Sequence, residues 1–155
     1  MKSLLIIICS VLTTFGFSQN PLKPVTWKAV YVPTNSSEGE IVFTAIIEKN
    51  WHIYSQRPTD AGPIPTSFNI TLNPNFEMLG KVVEENAHEE FVPAFDAKVY
   101  VFADKAIFKQ KIKLKSKKTF SVKSSVEFMT CNNSQCLPPS TIDFIISIPE
   151  VSAKK

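Results

Sequence analysis

Phe120-Ser121-Val122-Lys123-Ser124-Ser125-Val126-Glu127-Phe128 runs on through Met129-Thr130 into Cys131, and a second apolar run, Thr141 to Ile148, leads away from Cys136-Leu137-Pro138-Pro139. Successive side chains of a strand point to opposite faces, so Phe120, Val122, Ser124, Val126 and Phe128 line one face and Ser121, Lys123, Ser125 and Glu127 the other. That alternation predicts a strand. Between the two runs lies Asn132-Asn133-Ser134-Gln135, which is polar and turn-like.

The same period recurs outward along the chain. Trp27, Ala29 and Tyr31 alternate with Lys28 and Val30, and Phe68, Ile70 and Leu72 alternate with Ser67, Asn69 and Thr71. Ile41 to Glu48 is β-branched and apolar, the pattern of a strand buried on both faces. Phe76 to Val83, Lys98 to Phe102 and Ala106 to Leu114 read as further strands, the last two joined by a tight turn at Ala103-Asp104-Lys105. Turn chemistry separates these runs at Pro33 to Gly39, Asn73-Pro74-Asn75 and Ser116-Lys117-Lys118. No stretch carries the ~3.6-residue apolar repeat of an amphipathic helix. About eight short strands divided by turns predict an all-β sandwich of the immunoglobulin type.

Met1-Lys2-Ser3 followed by the apolar run Leu4 to Leu12, with small residues at Gly16 and Ser18, reads as a secretory signal peptide over residues 1–18. One domain over residues 19–155 is then expected, exported to an oxidising compartment where disulfides persist. Cys9 falls in the discarded segment. No other apolar run approaches the ~18–20 residues of a membrane span, so membrane insertion is not expected. The net charge is only +3. Its densest lysines are Lys111, Lys113, Lys115, Lys117 and Lys118, whose alternation with Ile112 and Leu114 is that of a solvated strand face; no aromatic-basic platform accompanies them, which argues against a nucleic-acid partner. No Ser, His and carboxylate constellation suggests hydrolysis. The two cysteines with His52 and His88 lack close ligand spacing, so neither a metal nor another cofactor is expected.

Cys131 and Cys136 are then the cysteines of the mature chain, near enough in sequence to reach the ~4.4–6.8 Å Cα separation of a disulfide. So short a loop gains little from a staple. A reversible dithiol pair is the sharper reading. The bland one is a secreted binding or structural β-sandwich with an inert local disulfide, which the residues alone favour because most cysteine pairs in exported domains are structural. Neither cysteine has a neighbouring Lys, Arg or His to depress its pKa. Two long connections break the strand spacing, and such loops often carry function. Gln56 to Pro65 is stiffened by Pro58, Pro63 and Pro65, while Glu84 to Ala97 is acidic yet carries Phe91 and Phe95. By pattern alone, these rings anchor the loop to the core.

Trp51-His52-Ile53-Tyr54-Ser55-Gln56, the Gly62-Pro63 loop, the acid-and-Phe segment and Cys131 to Pro139 occur in an order that resembles the N-terminal periplasmic domain of the DsbD thiol:disulfide interchange family. The resemblance covers nearly the whole mature chain and is most specific at the cysteine pair followed by Pro-Pro. The chain departs in having four residues between its cysteines, where the best-known members have five. Full-length members continue into a membrane domain and a thioredoxin-like domain, and since this sequence stops at Lys155 a free-standing version of the domain is expected.

The resemblance implies an immunoglobulin-like fold with the cysteines on a hairpin under a cap loop. The cap would lay a Phe over the disulfide, with acidic residues such as Glu90 and Asp96 beside it. Counting back from the following strand places that Phe at Phe95; Phe91, after Glu89-Glu90, is the alternative. Tyr54 and His52 would form an aromatic wall, although the family usually has a phenol where His52 stands. Such a cap would raise a thiol pKa by desolvation and like charge, which suits a guarded reductant. By the same resemblance Cys136 forms the mixed disulfide with a partner and Cys131 resolves it. Electrons would come from a separate membrane electron-transfer protein. They would pass to thioredoxin-like clients: disulfide isomerases, cytochrome c maturation thioredoxins or peroxide-reducing proteins.

Overall fold

The computed structural model describes residues 22–59 and 62–150; the signal-peptide reading and Cys9 lie outside this range. The strands are β1 (Val25–Pro33), β2 (Glu38–Ile47), β3 (His52–Tyr54), β4 (Ser67–Ile70), β5 (Phe76–Glu85), β6 (His88–Val92), β7 (Ala97–Ala103), β8 (Lys105–Leu114), β9 (Phe120–Cys131) and β10 (Cys136–Ile148). A single 3₁₀ turn, Pro93–Phe95, stands between β6 and β7. One sheet has the order β1-β2-β8-β5; the other runs β10-β9-β3-β7-β6, with β4 paired to β9. No helix among the described residues is long and apolar enough to cross a membrane.

The inward faces of the two sheets build the core. Ile41, Phe43, Ala45 and Ile47 of β2 and Ala106, Phe108 and Ile112 of β8 meet Val122, Val126 and Phe128 of β9 and Ile146 and Ile148 of β10. Aromatic rings fill the centre: Phe108 lies 5.8 Å from Trp27, 4.9 Å from Phe68 and 5.2 Å from Phe102, centroid to centroid. Rings of this size remove more apolar area from water than any other side chain, and tilted or edge-on pairs add to that gain.

The all-β sandwich is as predicted, but two local expectations need correction. β2 is buried on one face only, since Val42 and Thr44 are half-buried and Ile46 is 53% exposed. Its β-branched outer residues fit a pleated, half-exposed surface rather than a second core. β7 and β3 are packed on both faces: Val99, Val101 and Phe102 of β7 and His52, Ile53 and Tyr54 of β3 are all buried. The acidic connection is also more ordered than a loop: His88–Val92 pairs antiparallel with β7. Asn86 turns the chain into β6 at φ 67°, and Asp96 closes the 3₁₀ turn at φ 49°. Asn and Asp tolerate this left-handed conformation better than other side chains carrying a Cβ.

Register decides which side of the second sheet carries the cysteines. Ile53 stands opposite Phe102 and Thr130, whereas His52 stands opposite Ala103 and Cys131, and Tyr54 opposite Val101. Cross-strand partners share a face. Ile53 and Phe102 belong to the core between the sheets, so His52, Tyr54, Val101 and Cys131 point to the outer face. There Tyr54, Val92, Val99, Val101 and Cys131 form a second, smaller buried cluster.

Two substitutions test this division of the fold. Phe108→Ala, at a residue with no exposure, is expected to cost about 3–5 kcal/mol in denaturant unfolding. Ile145→Ser, at 76% exposure on the outer face, is expected to stay within about 0.5 kcal/mol. Equal costs would contradict the placement of the core.

Candidate functional site

Cys131 ends β9, Cys136 begins β10, and the two stand directly opposite each other as a disulfide with Cα atoms 4.0 Å apart. Asn132 shapes the turn between them. Its side-chain Oδ1 accepts from Ser134 N at 2.8 Å and Gln135 N at 2.9 Å, while its own N–H donates to Gln135 O at 2.9 Å. This is an Asx turn, in which the short amide replaces backbone partners that the tight loop cannot supply. Beyond Cys136 the β9–β10 register shifts between Leu137 and Ser140. Pro138 and Pro139 lie in that shift, and neither has a backbone donor for a ladder. The sulfurs differ in environment: Cys131 is 1% exposed, and Cys136 is half-buried.

The wall beside the bridge is β3. Thr130 Oγ1 donates to His52 O at 2.9 Å, and Thr66 Oγ1 donates to Tyr54 O at 2.5 Å, so both ends of this three-residue strand are pinned by buried hydroxyls. His52 Nε2 and Tyr54 Oη lie 3.0 Å apart, both buried. Burial pushes the His52 imidazole below its ordinary value; the Glu90 carboxylate opposes that shift and His88 adds to it. Burial, reinforced by Glu90, holds the Tyr54 phenol far above its ordinary range. Desolvation disfavours the charged form of each group, so His52 and Tyr54 are both neutral near pH 7.

Phe95 packs against the cluster that contains Cys131, with Cys136, Ala97 and Met129 also on its margin. Its ring meets Tyr54 edge-on at 6.0 Å. Phe91 goes elsewhere. It pairs with Lys98, on the face opposite to the cysteines, and is 52% exposed. Glu90 pairs with Val99 and so shares the cysteines' face, where His88 Nε2 lies 3.6 Å from its Oε2. Asp96 is exposed beyond the 3₁₀ turn. A cleft of about 90 Å³ separates β6 from the hairpin, lined by His52, Glu90, Phe91, Val92, Pro93, Asn132 and Asn133.

The structure therefore gathers Cys131, Cys136, Tyr54, His52 and Phe95 on one face with Glu90 beside them, and turns Phe91 and Asp96 towards solvent. Sequence reasoning missed Asn132, Thr130, Thr66, the apolar floor of Val92, Val99 and Val101, and Glu84. Glu84 ties the start of the Gln56 to Pro65 connection to β5: it accepts from Ser55 Oγ at 2.5 Å and Gln56 N at 2.8 Å, and pairs with Arg57 at 3.4 Å. Arg57 also lies over the Tyr100 ring, 4.0 Å from its centroid. The floor had a signal, because Val99-Tyr100-Val101-Phe102 is apolar in both phases of the strand. Glu84 had none that set it apart within an acidic run. Among the described residues, no three His, Cys, Asp or Glu side chains form a group that could hold a metal ion.

The family described as "Thiol:disulfide interchange protein DsbD, N-terminal" matches residues 19–147. In structure, the chain is similar to the reduced DsbD N-terminal domain of Neisseria meningitidis, with TM-score 0.53 at 15% identity, covering 83% of this chain and 90% of that one. It is also similar to the N-terminal periplasmic domain of ScsB from Proteus mirabilis, with TM-score 0.51 at 14% identity, covering 80% of this chain and 44% of that one. No curated protein matches the chain in sequence. At such identities the structural likeness speaks for the fold, while the family match spans the strands, the pinned wall and both cysteines. The chain belongs to the family of DsbD N-terminal domains.

Proposed function

We propose that this chain is a thiol–disulfide exchange domain, which passes reducing equivalents through the Cys131–Cys136 pair to thioredoxin-like partners. The observation that carries this reading is the position of the bridge on the outer face of its sheet, apart from the core between the sheets. A carrier must stay folded in both redox states. Opening so short a loop costs on the order of 2 kcal/mol in the chain-entropy model, against ~5–15 kcal/mol for a typical domain. Family membership supports the same chemistry. Under this reading residues 1–18 direct export, residues 19–155 act in the periplasm, and a separate membrane protein supplies electrons.

Exchange proceeds by thiolate attack on a disulfide sulfur through a mixed disulfide. Cys136 is the more accessible sulfur and is proposed to attack the partner; Cys131, 1% exposed, resolves the adduct. Phe95 is proposed to shield the pair, supported by its packing on Tyr54 and on the cluster that includes Cys131. Glu90 supplies negative charge beside it, which disfavours a thiolate until a partner docks.

Three outcomes are expected. The reduced protein keeps its β-sandwich at room temperature, read by near-ultraviolet circular dichroism; unfolding on reduction would restore the reading of an inert structural bridge. Phe95→Ala speeds reduction of the bridge by small-molecule thiols at least severalfold while Phe91→Ala does not, and the reverse result would move the shield to Phe91. Cys131→Ala accumulates a covalent, reductant-sensitive adduct with oxidised thioredoxin-like proteins and Cys136→Ala gives little. Equal trapping by both variants would overturn the assignment of the two sulfurs.

A further inference from the structure

A buried histidine opposite a buried cysteine is more than a wall needs. His52 is 8% exposed and Cys131 1% exposed. They are in-register partners of the antiparallel β3–β9 pair, which sets their Cβ atoms about 4.5–5.5 Å apart on one face. Thr130 Oγ1 fixes the His52 backbone, and Tyr54 Oη fixes the ring at Nε2. A phenol at position 52 could serve as a wall, but only an imidazole accepts a proton near neutral pH.

We propose that His52 is the proton acceptor for Cys131 in the resolving step, held for that task by Tyr54. The proposal rests on the exchange reading above. With Nε2–H donating to Tyr54 Oη, the Nδ1 lone pair is left free to take the Cys131 proton. Once Cys136 carries a mixed disulfide, the Cys131 S–H bond breaks and its proton passes to Nδ1. Cys131 Sγ then bonds to Cys136 Sγ, and the bond from Cys136 Sγ to the partner sulfur breaks. The partner sulfur leaves with that electron pair and takes a proton from His52 or from water. Two electrons move from the dithiol to the partner, and His52 returns to its neutral form.

The charged and titratable groups around the ring are few. Tyr54 stands on its own strand and stays protonated, His88 and Glu90 face it from β6, and Cys131 and Cys136 face it from the hairpin. Burial keeps the imidazole in its neutral, proton-accepting form above a pKa that lies below the ordinary value. The resolving rate should therefore rise as pH rises through that lowered pKa and level off before the thiol's own ionisation, near ~8.5 or above.

The test mixes the reduced chain with the aromatic disulfide dithiobis(nitrobenzoate) and follows two releases of thionitrobenzoate by stopped flow. The first reports attack by Cys136 and the second resolution by Cys131. His52→Gln keeps a side chain able to bond Tyr54 Oη. It is expected to slow the second release at least about tenfold at neutral pH and to abolish the acid-side inflection, with a much smaller effect on the first. Tyr54→Phe, which removes the hydroxyl that orients the ring, is expected to slow the second release severalfold and serves where His52→Gln disturbs the fold. A second release whose rate and pH profile survive either folded variant would overturn the proposal. A wild-type chain giving no second release would overturn the exchange reading beneath it.

Discussion

The pairing of β9 with β3 on one side and β10 on the other sets everything at the bridge. Along β9, Val126, Phe128 and Thr130 face the core, while Met129 and Cys131 face outward. A slip of one residue would exchange these sets, placing Thr130 on the outer face and Cys131 between the sheets. The slip is opposed by the whole inner face of the sandwich, since Val122, Val126 and Phe128 would all leave the core at once. The hydrophobic effect that folds the domain thereby also aims its sulfurs. Thr130 joins the two levels: its buried hydroxyl bonds the His52 carbonyl across the strand pair, next to Cys131.

This arrangement separates stability from reactivity. The aromatic centre around Trp27, Phe43, Phe68 and Phe108 is shared by both sheets and does not touch the redox pair. The outer cluster is small, edged by an exposed strand and a single 3₁₀ turn, and its apolar contacts are few. Local opening takes place at the low-stability end of a structure. A β6 segment carrying Glu89, Glu90 and Phe91 on its exposed surface fits that description far better than β2 or β8 does. Under the proposed exchange reading, shielding of the sulfurs and their release to a partner would involve this segment without disturbing the sandwich.

Much of the fold was legible because period-2 alternation is strong in β8 and β9, where one face is mainly apolar and the other mainly polar. The errors arose where that contrast fails. β2 is apolar on both faces yet buried on one, because Val42, Thr44 and Ile46 satisfy strand geometry without needing a core. The strand within the acidic connection was hidden because His88 to Val92 shows no apolar alternation; β6 exists through its ladder with β7. At the site, the cysteines and the competing Phe91 and Phe95 stand out in the sequence itself, and Tyr54 could be named from a family resemblance. The placement of the two rings needed the register, which turns Phe91 away with Lys98 and leaves Phe95 against Tyr54. Contacts such as Glu84 with Ser55 join residues 29 positions apart and leave no local trace.

On the proposed reading the bridge is made to open and close rather than to hold the domain together. Its reduction potential, measured by equilibrating the folded chain against defined thiol–disulfide buffers, tests that most directly. An exchange-active pair is expected above about −300 mV, within reach of thioredoxin-like partners. A value well below about −300 mV would place it among structural disulfides and contradict the account.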